Sequence, residues 1–235
     1  MEIHMEQKAC PESNETMVYV LFTSSSEFQK DDLESWLQHL PNFIVQRYRR
    51  YKNINDGKLF VLGKLLLFRG FELFGQVCKL QALQFNPFGK PYIKGDIHFS
   101  TSHSGEYVVC AFAKNSRLGI DIEKVENKNL EFGYFKPYFN NSEWNHISSS
   151  KNMLQTFYQY WTIKESIVKA EGLGMSRSFK QISLEKDYVT IGDTNWHFTP
   201  ISIDDDYVST LCLEKSSFQL HVQKNSFLSV PSDLV

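Results

Sequence analysis

The middle of the chain, from Tyr107 to Glu123, reads Y-V-V-C-A-F-A-K-N-S-R-L-G-I-D-I-E. Tyr107 to Phe112 is apolar and rich in β-formers, which predicts a strand. Asn115-Ser116 predicts a hairpin-like turn, and Leu118 to Glu123 alternates with period two and predicts a second strand. Alternation puts Asp121 and Glu123 on one face of that strand and Ile120 and Ile122 on the other. The two halves of the chain meet at this point. Residues 1–118 hold 14 cations against 12 carboxylates and residues 119–235 hold 11 against 15, so a basic first half precedes an acidic second half.

Upstream, residues 1–16 are polar and aperiodic and read as a flexible tail before a strand at Met17–Phe22. Asp31–Leu40 reads as a short helix stopped by Pro41. Arg47-Tyr48-Arg49-Arg50-Tyr51-Lys52 is the densest run of positive charge. Leu59–Gly75 reads as a buried helix, Asn86–Pro91 as a turn and Ile97–Ser100 as a strand, with Ser102-His103-Ser104-Gly105 turning the chain. Downstream, Ser142–Glu171 has helical patterning that Gly172 and Gly174 end, and Ile182–Leu220 reads as short strands. The result is an α+β chain with a tail at 1–16, an N-terminal half at 17–117 and a C-terminal half at 118–235.

With 235 residues, 42% hydrophobic and 22% charged, the composition is that of a folded protein rather than a disordered or low-complexity one. The net charge of -2 gives no global footprint for nucleic acid. Lys64, Arg69 and Glu72 interrupt the most apolar stretch, which falls short of the roughly 18 apolar residues of a membrane span. The four cysteines, Cys10, Cys78, Cys110 and Cys212, are widely spaced and form no CxxC pair. That favours a reducing compartment, and with no signal-peptide pattern at the N-terminus the expectation is a cytoplasmic protein.

Two carboxylates at Asp121 and Glu123 repel unless a positive group lies between them. A hard divalent cation does this, and a solvated edge strand is the bland alternative. On a helix, Glu165 and Lys169 are one turn apart on one face, as a surface ion pair or as a metal ligand and general base beside a phosphate clamp. Ser102 and His103 suit phosphate binding. A serine-hydrolase reading is weak, since the G-x-S-x-G elbow is absent. Lys90 is a turn lysine within reach of a phosphate, and the Arg47 cluster suits a phosphorylated small molecule better than nucleic acid.

Taken in order, Gly89-Lys90-Pro91, Ser102-His103-Ser104, Gly119–Glu123 and Trp161-Thr162-Ile163-Lys164-Glu165-Ser166-Ile167-Val168-Lys169 resemble the motifs of the Sfp-type 4'-phosphopantetheinyl transferases. The resemblance runs with motifs from about Arg47 to Gly174 and more loosely to Leu213. It implies two similar α/β halves related by pseudo-twofold symmetry, with coenzyme A as substrate in the cleft between them. It further implies Mg²⁺, or Mn²⁺ in its place, held by Asp121, Glu123 and Glu165, with Glu165 and Lys169 catalytic. Arg47, Lys90, Ser102, His103 and Lys169 then bind coenzyme A. The implied partner is an acyl or peptidyl carrier protein, met by a monomer with no nucleic-acid or membrane partner. Ser100 departs from the family's usual Asn. Phe139 to Trp144 resembles the family's F-x-x-x-E stretch and brings Glu143 near the site, its role open. A metal-dependent phosphohydrolase and a non-catalytic coenzyme A or carrier-binding module are the rival readings.

Overall fold

In the computed structural model the described residues are 15–126, 132–174, 179–184 and 188–227, so the tail expected at 1–16 lies almost wholly outside them. Strands β1 (Thr16–Ser24), β4 (Ile97–Ser104) and β5 (Tyr107–Lys114) form the first sheet, and β6 (Leu118–Lys124), β7 (Tyr188–Ile191), β8 (Thr194–Pro200) and β9 (Tyr207–Leu213) the second. The fourth strand of the first sheet is β10 (Phe218–Lys224), which returns from the chain end to pair in parallel with β1. Residues beyond 118 therefore complete the first sheet. A small hairpin, β2 (Gln84–Phe85) with β3 (Pro91–Tyr92), stands apart.

Among the described residues five α-helices accompany the sheets: α1 (Lys30–Leu37), α2 (Asn42–Tyr48), α3 (Ile54–Leu73), α4 (Asn141–Ser149) and α5 (Met153–Glu171). Helix α3 starts five residues earlier than apolarity alone predicts, because Asn53 caps it by accepting the N–H of Asn55. The helical pattern from Ser142 onward is two helices, with Asn152 capping the second through the N–H of Gln155. The expected turn at Ser102–Ser104 is instead the end of strand β4, paired residue for residue with Val109, Val108 and Tyr107. The turn itself is Gly105-Glu106, with Gly105 left-handed at φ 57°.

Three apolar clusters set the layering. Leu59, Leu62, Leu65 and Leu66 of α3 pack on Cys110 and Phe112 of β5. Val18, Val20, Val109 and Ala111 of the first sheet meet Ile120, Ile122, Leu211 and Leu213 of the second. Ile167 and Val168 of α5 pack on Val189, Trp196 and Cys212 behind the second sheet. Each half thus buries a sheet face under a long helix, and the remaining faces close on each other. Burying that much apolar surface is the main stabilising term. Cys78, Cys110 and Cys212 are free and buried, and desolvation pushes the thiols of Cys78 and Cys110 up to about 12. No helix among the described residues is long and apolar enough to cross a membrane.

Candidate active site

The site forms where β4, β6 and α5 converge. Leu118, Ile120 and Ile122 point into the core shared by the sheets, which turns Gly119, Asp121 and Glu123 toward α5 and β4. Gly119 decides how close α5 comes. A Cβ there would fall on the carbonyl oxygen of Ser166 and within 2.5 Å of Ala170 N, so backbone meets backbone at this crossing. Thr162 Oγ1 and Thr210 Oγ1, 2.9 Å apart, tie the same helix to β9. The approach delivers Lys169 to Asp121.

Strand β4 carries serines at every second position, and all three face β6. Ser100 Oγ accepts the N–H of Ile120 at 3.2 Å. Ser102 Oγ donates to Asp121 Oδ1 at 2.7 Å, and Ser104 Oγ donates to Glu123 Oε2 at 2.9 Å while accepting the N–H of Lys124 at 3.0 Å. The serine at position 100 thus keeps a backbone partner of its own. Strands β4 and β6 belong to different sheets, and this row of hydroxyls joins them where no ladder does.

Lys169 Nζ donates to Asp121 Oδ1 at 2.6 Å and to Ser102 Oγ at 2.8 Å. Its ion pair is therefore with Asp121, across elements, rather than with Glu165 one turn away on its own helix. Asp121 is 2% exposed, which removes the solvated-strand alternative. Its Oδ2 is buried without a hydrogen-bond partner, an arrangement that native structures seldom leave uncompensated. Burial, then the charge of Asp121, raises the carboxyl of Glu123 to about 7. Burial likewise raises Glu165, with Lys169 opposing and Asp121 adding to the rise.

Among the described residues no three His, Cys, Asp or Glu side chains are drawn together closely enough to coordinate an ion. The donor set nevertheless suits a hard cation, because it offers only carboxylate oxygens, one of them an orphan.

A cavity of about 280 Å³ beside this cluster is lined by Phe88, Lys90, Phe99, Thr101, Glu165 and Lys169, among others. Lys90 is one of these lining residues, and its ammonium donates to Leu118 O at 3.2 Å and Ala170 O at 3.1 Å. His103 is on the opposite face of β4 from Ser102 and is exposed. Desolvation, then the Lys169 charge, lowers its pKa. Arg47 stands 5.2 Å over the ring of Phe60 and lines a separate groove with Arg50 and Tyr51, so it does not share the cavity of Glu165 and Lys169.

Glu143 is 1% exposed and bonded to Lys164 at 2.9 Å, and Lys164 is fully buried. The pair anchors α4, α5 and the segment at 179–184, since Glu143 also accepts the N–H of Leu184 and Lys164 donates to Phe179 O. Glu143 thus fixes α4 against α5 and is not among the residues that line the cavity of Glu165 and Lys169. Trp161 packs edge-on to Phe135 and Tyr138. Sequence reasoning missed Ser104 as a carboxylate partner and the reach of Asn86 to α5, where its Nδ2 donates to Gly172 O at 2.6 Å. The alternation Ser100-Ser102-Ser104 was the available signal for the first, and nothing local marks the second.

Comparisons with known proteins bear on this arrangement. The sequence model of the 4'-phosphopantetheinyl transferase superfamily matches residues 117–212, the span that holds β6 and α5. Over 164 residues the chain is 33% identical to the 4'-phosphopantetheinyl transferase gsp of Aneurinibacillus migulanus, covering 64% of this chain and 67% of that protein. It is 33% identical over 147 residues to the 4'-phosphopantetheinyl transferase Sfp of Bacillus subtilis, covering 59% and 63% of the two chains. It is also 30% identical over 167 residues to the L-aminoadipate-semialdehyde dehydrogenase-phosphopantetheinyl transferase of Xenopus laevis, covering 62% and 54%.

Proposed function

Because the chain belongs to the 4'-phosphopantetheinyl transferase superfamily, we propose that it moves the 4'-phosphopantetheine group of coenzyme A onto a serine of an apo acyl or peptidyl carrier protein. The serine Oγ forms a bond to the β-phosphorus, the bond from that phosphorus to the bridging oxygen breaks, and 3',5'-ADP leaves with the electron pair. Such a transfer depends on positioning and charge neutralisation more than on covalent work by the protein. One observation carries the reading: Lys169 Nζ and Ser102 Oγ converge on Asp121 Oδ1, beside Glu123 and next to the cavity that Glu165 lines.

Glu165 takes the serine proton, a role open to a carboxylate that lines the cavity beside Lys169. Lys169, braced by Ser102, stabilises the leaving phosphate, and Arg47 and His103, which lie outside the cavity of Glu165 and Lys169, would meet the more distant 3'-phosphate of coenzyme A. Asp121, Glu123 and Glu165 would hold Mg²⁺, or Mn²⁺ in its place, which when bound supplies neutralisation of the pyrophosphate charge. The free, buried thiols suit a cytoplasmic setting.

The test is intact-mass spectrometry of an apo carrier protein incubated with the chain, coenzyme A and Mg²⁺. A gain of one phosphopantetheine that vanishes with a chelator is the expected result. Release of phosphate without a carrier would point instead to a phosphohydrolase, and binding of coenzyme A without transfer to any carrier would point to a binding module.

In the aromatic segment that follows Phe132, Phe139 is 2% exposed and Phe135 packs on Phe157, so both belong to the core. Tyr134 is 75% exposed and is the better candidate for docking. Tyr134→Ala is therefore expected to raise the KM for carrier about fivefold, on the scale of losing one interfacial aromatic, with the KM for coenzyme A unchanged. Steady-state kinetics in each substrate checks it, and equal KM values for carrier would remove Tyr134 from the interface.

A further inference from the structure

The turn at Asn86–Lys90 belongs to the β2–β3 hairpin, yet its polar atoms go to the end of α5. A helix leaves its last carbonyls without N–H partners of its own. At α5, Gly172 is left-handed with φ 74° and returns its N–H to Val168 O at 3.0 Å. Two more carbonyls at this end are met from the hairpin: Lys90 Nζ donates to Ala170 O at 3.1 Å, and Asn86 Nδ2 donates to Gly172 O at 2.6 Å. Asn86 is braced for this task. Its Oδ1 accepts the N–H groups of Phe88 and Lys90 at 3.0 and 2.9 Å, so one side chain both shapes the turn and reaches the helix.

The fit leaves no room. A Cβ on Gly172 would stand 3.0 Å from Lys90 Cδ and 3.1 Å from Asn86 Nδ2, and one on Gly174 would stand 3.2 Å from Phe88 O. A cation at a helix C-terminus is also favoured by the helix dipole. That offsets part of the burial that lowers the Lys90 pKa to about 8.

We infer that the Asn86–Lys90 turn caps the C-terminal end of α5 in trans, and that Asn86 and Lys90 are positioning residues that hold Lys169 against Asp121 and Ser102. Lys169 immediately precedes Ala170, and Glu165 is little more than a turn earlier, so the capped end is the end that carries both. The hairpin thereby ties the first half of the chain to the catalytic helix of the second. The kinetic part of this inference rests on the transferase reading, whereas the cap itself does not.

The experiment uses the full chain and the variants Asn86→Ala, Lys90→Met and Lys90→Arg. Hydrogen exchange of the amides at 168–174, measured without ligand, reports the cap. Transfer kinetics with coenzyme A and a carrier protein report its consequence. Asn86→Ala and Lys90→Met are each expected to speed exchange about fivefold, as the loss of one hydrogen bond at a helix end would, and to lower kcat by a similar factor with the KM for coenzyme A held within about twofold. Lys90→Arg, which can still donate to both carbonyls, is expected to restore slow exchange. Unchanged exchange in Asn86→Ala would overturn the cap. A raised KM in Lys90→Met with unchanged exchange would overturn it too and make Lys90 a phosphate ligand. If the wild-type chain transfers nothing, the transferase reading fails, and the exchange data still decide the cap.

Discussion

Asp121→Asn is expected to lower kcat for phosphopantetheine transfer about a thousandfold, on the scale of removing one electrostatic contact that develops in the transition state. The substitution keeps the shape of the side chain and the acceptor oxygen that Lys169 and Ser102 use. What it removes is the negative charge and, with it, the orphan oxygen Oδ2 as a cation ligand. The fold is expected to survive, because the charge of Asp121 also raises Glu123 and that repulsion disappears with it. Two readouts separate the roles. Circular dichroism and melting should stay close to wild type, while the rise in melting temperature on adding Mg²⁺ should be lost. Wild-type turnover in Asp121→Asn would sink the proposed cation site.

Lys164→Met is expected to act on stability instead. Lys164 is fully buried, its partner Glu143 is 1% exposed, and desolvation already lowers the lysine pKa against the pull of Glu143. Removing one member of a buried pair leaves the other charge without its counter-ion, at about 3–5 kcal/mol. For a chain of this size that is a fall in melting temperature of roughly 10 °C. The carbonyls of Phe179 and Ile182 lose a donor at the same time. Adding Glu143→Gln removes the stranded charge and keeps an acceptor for the N–H of Asn140 or Leu184, so the double variant should recover part of the loss. Melting of the single and double variants measures this. Equal stability of Lys164→Met and wild type would show that the pair contributes nothing.

The motif residues form a site through a division of labour between Gly119 and its neighbours. Without the close crossing at Gly119, helix α5 would stand off from β6, and Lys169 could not reach Asp121 at 2.6 Å. The serine row on β4 supplies the third side and satisfies polar groups that the two sheets leave at their junction. Chemistry and packing share the same few residues here.

By itself the sequence determined the local features. Alternation in Leu118–Glu123 settled which side chains share a face, and the spacing of Glu165 and Lys169 settled that they project together from one helix. Pro and Gly placed the turn at 86–91, and the ordered motifs carried the family. These are short-range properties, set by backbone periodicity and by residue type.

Only the tertiary structure decided what each group meets. It sent Lys169 to Asp121 rather than to Glu165, and the ammonium of Lys90 to two carbonyls 28 and 80 residues away. It also made Ser102–Ser104 strand rather than turn, because the ladder with β5 outweighs the turn preference of Ser and Gly. It returned β10 to the first sheet, beside a strand some 200 residues earlier. Contacts of that range depend on which apolar faces are buried together, a property of the whole chain that no local window contains.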